Sequence, residues 1–212
     1  MISQERSGRR RIGIFGGTFD PPHMGHVNAA RAFLAEMHLD ALLVMPAAIP
    51  PHKCGVAGAA SEVRLLMTRA AFDGLDPQIS VSDFEVRCAD VSYTYRTLRH
   101  FKETEDADIY FLTGADKFVS IDSWKCPEII FDSAVIVCAM RDGDPAVYED
   151  VVAKARLYKE RYGARTEMLK VSPIEISSSE IRRIYREGGD LSVLIPPAVL
   201  KIMDTHHLYR EW

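Results

Sequence analysis

Short apolar runs alternate with amphipathic stretches along nearly the whole chain, and that alternation constrains the fold more than any other feature. The runs at 11–16, 41–46, 78–82, 109–113, 134–139 and 168–171 have strand length and are bounded by glycine, proline or charged residues. Between them, 24–38 places Val27, Ala30, Phe33, Leu34 and Met37 on one side of a helix. Further helices are predicted at 61–72, with Ser61 as N-cap, and at 93–101, 145–162, 178–186 and 196–206. Strands alternating with helices imply a mostly parallel sheet covered on both faces, a Rossmann-like doubly wound α/β fold. Ligands of such sheets sit outside the carboxyl ends of the strands, so the loops that follow strands are where chemistry is to be sought. Residues 1–10 read as a solvated polar tail and 11–212 as a single domain.

Charge narrows the function. Twenty-six Lys and Arg against 30 Asp and Glu leave a net charge of −4, so a chain-wide basic field for nucleic acid is absent. No apolar run approaches the length of a membrane span. Arg9 to Arg11 precede an apolar run too short for a signal core. Cys54, Cys88, Cys126 and Cys138 form no CxxC pair, which fits a reducing, cytoplasmic setting. Monomer and homodimer are both compatible with the sequence.

The strongest local signal follows the first strand: Gly16-Gly17-Thr18-Phe19-Asp20-Pro21-Pro22-His23-Met24-Gly25-His26. The two glycines permit close backbone approach to a ligand. The N–H groups that open the next helix favour an anion. His23 and His26, three apart, share one face of the first turn and are placed to donate to phosphate oxygens. A metal pair and plain helix-start polar residues remain the alternatives, although no third metal ligand is evident nearby. Downstream, Pro50-Pro51-His52-Lys53 stiffens a loop and holds Lys53 out as a point charge, the alternative being a solvated lysine. Ser177 is a natural N-cap with Glu180 three residues later. The same helix start offers the hydroxyls of Ser178 and Ser179 and the guanidinium of Arg182 to an anion. Asp116, after the fourth strand, reads as an N-cap for the next helix, with a carboxylate that can also accept from hydroxyls.

The extended GGTFDPxHxGH string resembles that of the nicotinate mononucleotide adenylyltransferases, within the HxGH nucleotidylyltransferase superfamily. The likeness runs from about residue 12 to 209. It implies an ATP site built from Gly16, Gly17, Thr18, Phe19, His23, His26, Gly114, Asp116, Ser178, Ser179 and Arg182. His23, His26, Lys53 and Arg182 would act in catalysis, and 172–212 would carry the second phosphate-binding helix. Ser92 to Tyr95 and Ser123 to Lys125 resemble the family's nicotinate-binding elements, implicating Thr94, Trp124 and Lys125. Trp124 is the stacking platform for a cationic ring, with a core tryptophan as the alternative. Lys125 stands where relatives sometimes carry an aromatic residue. The implied reaction joins ATP, with Mg2+, to nicotinic acid mononucleotide, giving the deamido dinucleotide and pyrophosphate. A phosphate nucleophile already ionised at neutral pH requires no general base. Alternatives are an enzyme of the same fold acting on nicotinamide mononucleotide or phosphopantetheine, and a nucleotide-binding module without turnover.

Overall fold

A computed structural model describes residues 8–50, 58–88, 90–141, 145–171 and 176–210. Six strands form one sheet: β1 (Arg10–Gly17), β2 (Ala41–Pro46), β3 (Ile79–Val81), β4 (Ala107–Gly114), β5 (Val135–Arg141) and β6 (Thr166–Val171). Their order is β3-β2-β1-β4-β5-β6 and every pairing is parallel. β1 is central, with Ile14 level with Leu43 of β2 and Phe111 of β4. The chain works outward from β1 to β3 and then crosses back to β4. The strand order therefore reverses between β1 and β4, and a crevice opens beyond their carboxyl ends. The fold is the doubly wound α/β architecture that the sequence pattern implies.

The described helices, in chain order, are α1 (Met24–Glu36), α2 (Ser61–Phe72), α3 (Phe84–Cys88), α4 (Thr94–Thr104), α5 (Ala115–Phe118), α6 (Pro127–Ser133), α7 (Pro145–Tyr162), α8 (Ser178–Arg186) and α9 (Pro197–Thr205). One core gathers Val27, Phe33, Phe72, Ile181 and Met203 from α1, α2, α8 and α9. The other gathers Ile12 and Ile14 of β1 with Leu98, Ile130 and Tyr158 of α4, α6 and α7. The side chains of β1 alternate between the two faces, as the pleat of a strand dictates. At Gly13 a Cβ would run into Leu39 and Phe33, so a glycine is what lets the end of α1 lie close against the sheet.

Several boundaries differ from the sequence pattern. α1 ends at Glu36, with Met37 as C-cap and His38 in a left-handed conformation at φ 50°. β4 begins at Ala107 because its pairing with β1 starts at Arg10. Ala60, not Ser61, occupies the cap position of α2. The short elements α3, α6 and a 3-10 turn at Ile121–Ser123 lie where the sequence shows only loop, and the helix expected after β4 is the single turn α5. Each is too brief to display a helical period.

Candidate active site

Gly16 and Gly17 end β1 at the point where the strand order reverses. Phe19 then turns inward at φ 51°, with its ring only 1% exposed. That ring meets Phe15 at 5.4 Å, Phe72 at 6.1 Å and His26 at 5.0 Å between centroids. A Cβ on Gly17 would lie 2.9 Å from it. Phe19 is thus a pin that fastens the loop to the core. What it can offer a nucleotide is backbone, not its ring.

His23 caps α1 in an extended conformation and is 5% exposed. Its ring lies 3.7 Å from that of His26, tilted by 36°. The His23 backbone N–H donates to His26 Nδ1 at 3.2 Å. With Nδ1 accepting, the neutral His26 ring carries its proton on Nε2, which makes that edge the donor. Two first-turn N–H groups of α1 are already engaged, Met24 with the Leu194 carbonyl at 2.9 Å and His26 with the His23 carbonyl at 2.9 Å. The expectation that this helix start presents its N–H groups to an anion is narrowed by these two bonds. Imidazole supplies much of the donor capacity here.

The start of α8 docks directly onto the same loop. Ser178 Oγ donates to the Pro21 carbonyl at 2.9 Å. Arg182 Nη1 donates to the Asp20 carbonyl at 2.6 Å, and Nη2 to Ser179 Oγ at 3.1 Å. Among the described residues these contacts use two of the guanidinium's five donors. Ser177 accepts from the Glu180 N–H at 3.1 Å, the N-cap expected from sequence. The two helix starts are thus joined across some 160 residues of chain, with the histidines and Arg182 attached to one short loop. The Ser178 proton is committed to the joint itself.

Three residues that sequence reasoning passed over hold that joint. Asp20 Oδ1 accepts from Tyr209 OH at 2.5 Å and from the Ala59 N–H at 3.2 Å. Arg64, 4% exposed, donates to the carbonyls of Ala59 at 3.1 Å, Thr18 at 2.8 Å and Ala48 at 2.7 Å. Burial lowers its pKa, while Asp20, Tyr209 and Glu62 oppose the shift. Arg64 had a readable signal, since it shares the buried stripe of α2 with Thr68, Ala71 and Phe72. Tyr209 had none beyond its position near the chain end. Ala48 and Ala59 flank the long loop between β2 and α2, so one guanidinium clamps both its ends. Lys53 belongs to that loop and lies outside the described residues.

Gly114 ends β4 and caps α5, so the N-cap is Gly114 and not Asp116. Asp116 is in the first turn with its side chain 77% exposed and 3.9 Å from Lys117 Nζ. It follows β4, the strand beside β1, with its carboxylate open to solvent.

The residues expected at the nicotinate end form a second cluster. Lys125 Nζ lies 4.5 Å from the centre of the Tyr93 ring, and Tyr93 is the N-cap of α4, next to Thr94. Trp124 is half-buried and donates its indole N–H to Ser120 Oγ at 3.3 Å. Its turn is anchored by Asp122, which binds Lys154 Nζ at 2.8 Å and Tyr158 OH at 3.2 Å. Burial pushes the Asp122 pKa up, but the Lys154 and Tyr158 contacts outweigh it and the net direction is down. Ser92 laces this cluster to the exit of β2, accepting from the Ala48 N–H at 2.9 Å and donating its own N–H to the Ile49 carbonyl at 3.0 Å.

No group of three or more His, Cys, Asp or Glu able to hold a metal occurs among the described residues. No described helix is long and apolar enough to cross a membrane.

A cytidylyltransferase-like family model matches residues 14–184, spanning both helix starts, and the chain belongs to that family. Within it the chain belongs with the nicotinate-nucleotide adenylyltransferases. It is 35% identical over 198 residues to a probable nicotinate-nucleotide adenylyltransferase of Clostridium botulinum (strain Loch Maree / Type A3), covering 93% of this chain and 98% of that protein. Among solved structures, the fold matches Plasmodium falciparum nicotinic acid mononucleotide adenylyltransferase complexed with NaAD. The TM-score is 0.73 at 19% identity, over 94% of this chain and 97% of that one. A putative nicotinate-nucleotide adenylyltransferase from Vibrio parahaemolyticus matches with a TM-score of 0.65 at 22% identity, over 96% and 97%.

Proposed function

We propose that this protein transfers the adenylyl group of ATP to nicotinic acid mononucleotide, forming nicotinic acid adenine dinucleotide and pyrophosphate. The observation that carries the reading is the joint between the two helix starts, where Arg182 and Ser178 bind the carbonyls of Asp20 and Pro21 beside His23 and His26. It gathers imidazole, guanidinium and hydroxyl donors at the carboxyl end of the central strand, a set suited to a polyphosphate.

A phosphate oxygen of the mononucleotide attacks the α-phosphorus. A new P–O bond forms as the bond to the bridging oxygen breaks, and that electron pair leaves with pyrophosphate. The difficulty is bringing one anion onto another, so the residues work by positioning and charge neutralisation. His26 Nε2–H donates to the phosphate oxygens. Arg182 bridges the leaving portion while its bond to Asp20 fixes its direction. Lys53 adds a cation from the loop that Arg64 clamps. Gly114 and Asp116 face the ribose from across the crevice. Thr94, Trp124 and Lys125 take the nicotinate end, the indole against the cationic ring and the ammonium near its carboxylate. The cationic donor set fits phosphate, and magnesium would travel with ATP as part of the substrate. Four cysteines without a CxxC pair support a cytoplasmic setting for the reaction.

Pyrophosphate release with ATP and magnesium, measured against nicotinic acid mononucleotide, nicotinamide mononucleotide and phosphopantetheine, tests this. Turnover is expected with the first. Preference for either other acceptor reassigns the substrate, and no release with any of the three reduces the protein to a binding module.

A further inference from the structure

We infer that Tyr209 is a positioning residue for the adenylyl-transfer site, acting by holding the Asp20 carboxylate away from Arg182; this rests on the function proposed above. Asp20 is 5% exposed and touches Arg182 in two ways. Its carbonyl receives Arg182 Nη1 at 2.6 Å, while its carboxylate Oδ2 stays 3.9 Å from the same nitrogen. The carboxylate is occupied instead through Oδ1, by Tyr209 OH at 2.5 Å and the Ala59 N–H at 3.2 Å. The Tyr209 ring also lies 5.8 Å from the Arg182 guanidinium carbon, walling one side of it. Gly58 belongs to the same device, since a Cβ there would sit 2.5 Å from Asp20 Oδ2.

Arg182 is thus poised between two uses. Directed by a carbonyl, it keeps its charge for substrate. Captured by a carboxylate, it becomes an internal ion pair with its fork turned inward. Tyr209 decides between them by supplying a neutral donor to the carboxylate. Burial and the adjacent Asp20 both push the phenol's pKa upward, so it remains a donor at every working pH.

The test is Tyr209→Phe, which keeps the ring, alone and combined with Asp20→Asn, which removes the charge that would capture Arg182. Expected for Tyr209→Phe is a KM for ATP raised about tenfold, a KM for nicotinic acid mononucleotide changed less than twofold, and a Tm lowered by only a few degrees. Adding Asp20→Asn should bring the ATP KM back to within about threefold of the Asp20→Asn protein. A merely structural role would raise both KM values together, and that result, an unchanged ATP KM, or no recovery in the double variant overturns the inference. If the wild type releases no pyrophosphate, the proposed function fails by itself. Calorimetric affinity for a non-hydrolysable ATP analogue then decides the matter: about tenfold weaker binding by Tyr209→Phe upholds the role of Tyr209, and equal affinity overturns it.

Discussion

The two ends of the crevice are built differently. On the phosphate side, Asp20, Arg64, Arg182, Ser178 and Tyr209 tie the β1–α1 loop to segments far away in sequence, mostly by charged or hydroxyl donors on backbone carbonyls. On the acceptor side, Tyr93, Trp124 and Lys125 are held by ring contacts, one indole hydrogen bond and a turn anchored from beneath. Bonds from side chain to backbone fix position whatever the neighbouring side chains are. Ring and ammonium contacts depend on the identity of each partner. The proposed function divides along the same line, with the chemistry common to adenylyl transfer on the side fixed by backbone bonds and the choice of acceptor on the side fixed by ring contacts.

The most direct way to break that division is at His26. His26→Ala is expected to lower kcat on the order of 100-fold, as loss of a single transition-state donor does, with the fold intact by circular dichroism. Steady-state pyrophosphate release reads it out, and near-normal turnover would take the imidazole out of the mechanism. Arg182→Lys probes the same side more gently. It keeps the charge but loses the planar fork that binds Asp20 and Ser179 together. A fall in kcat/KM for ATP of about 30-fold is expected, on the scale of one bidentate charged contact. A drop confined to the acceptor's KM would place Arg182 on the wrong side of the comparison.

Trp124→Ala sharpens the contrast from the other end. Loss of a cation–π face costs about 1–2 kcal/mol, or roughly tenfold in KM for nicotinic acid mononucleotide, with the KM for ATP held within twofold. Titrating each substrate at saturating levels of the other separates the two. Equal movement of both KM values would mean that the half-buried indole serves the second core and not the ligand.

The sequence carried the outline of both sides unequally. The doubly wound class follows from alternating periods, and the 145–162 and 178–186 helices match their observed limits because each is bounded by strong signals, Pro145 and Gly163 for the first and Ser177 and Gly188 for the second. The glycine-rich turn with its two histidines was legible because close approach and helix entry require particular residues locally. What joins that turn to the rest was not. Asp20 stood in plain view within the motif, but its partners lie 39 and 189 residues away at Ala59 and Tyr209, and no local pattern encodes such a pairing. The same holds for the spent N–H of Met24, whose acceptor Leu194 belongs to the segment before α9. On the acceptor side, the turn and short helix around Trp124 escaped notice because three to seven residues show no period.

The smallest expected effect concerns how the acceptor side is tuned. Glu85 accepts from Thr97 Oγ1 at 2.6 Å, linking α3 to the helix that starts at Thr94. Burial raises its pKa above the ordinary 4.5, and the hydroxyls of Thr97 and Ser92 only partly offset this. A carboxyl whose pKa is raised by folding binds its proton more tightly in the native state than in the unfolded one. Its contribution to stability is complete below the unfolded pKa and is lost as pH rises through the folded one. Glu85→Gln, which stays neutral, should therefore gain on the wild type as pH is raised from about 4 to 8, by on the order of a few degrees in Tm. The comparison is the difference between the two melting curves at each pH, because other groups titrate equally in both. The phosphate side offers the control in Tyr209, whose phenol stays protonated through that range, so Tyr209→Phe should shift Tm by nearly the same amount at pH 5 and pH 8. A Glu85→Gln difference that is flat with pH, or that shrinks as pH rises, would show that burial does not hold this carboxyl toward its neutral form.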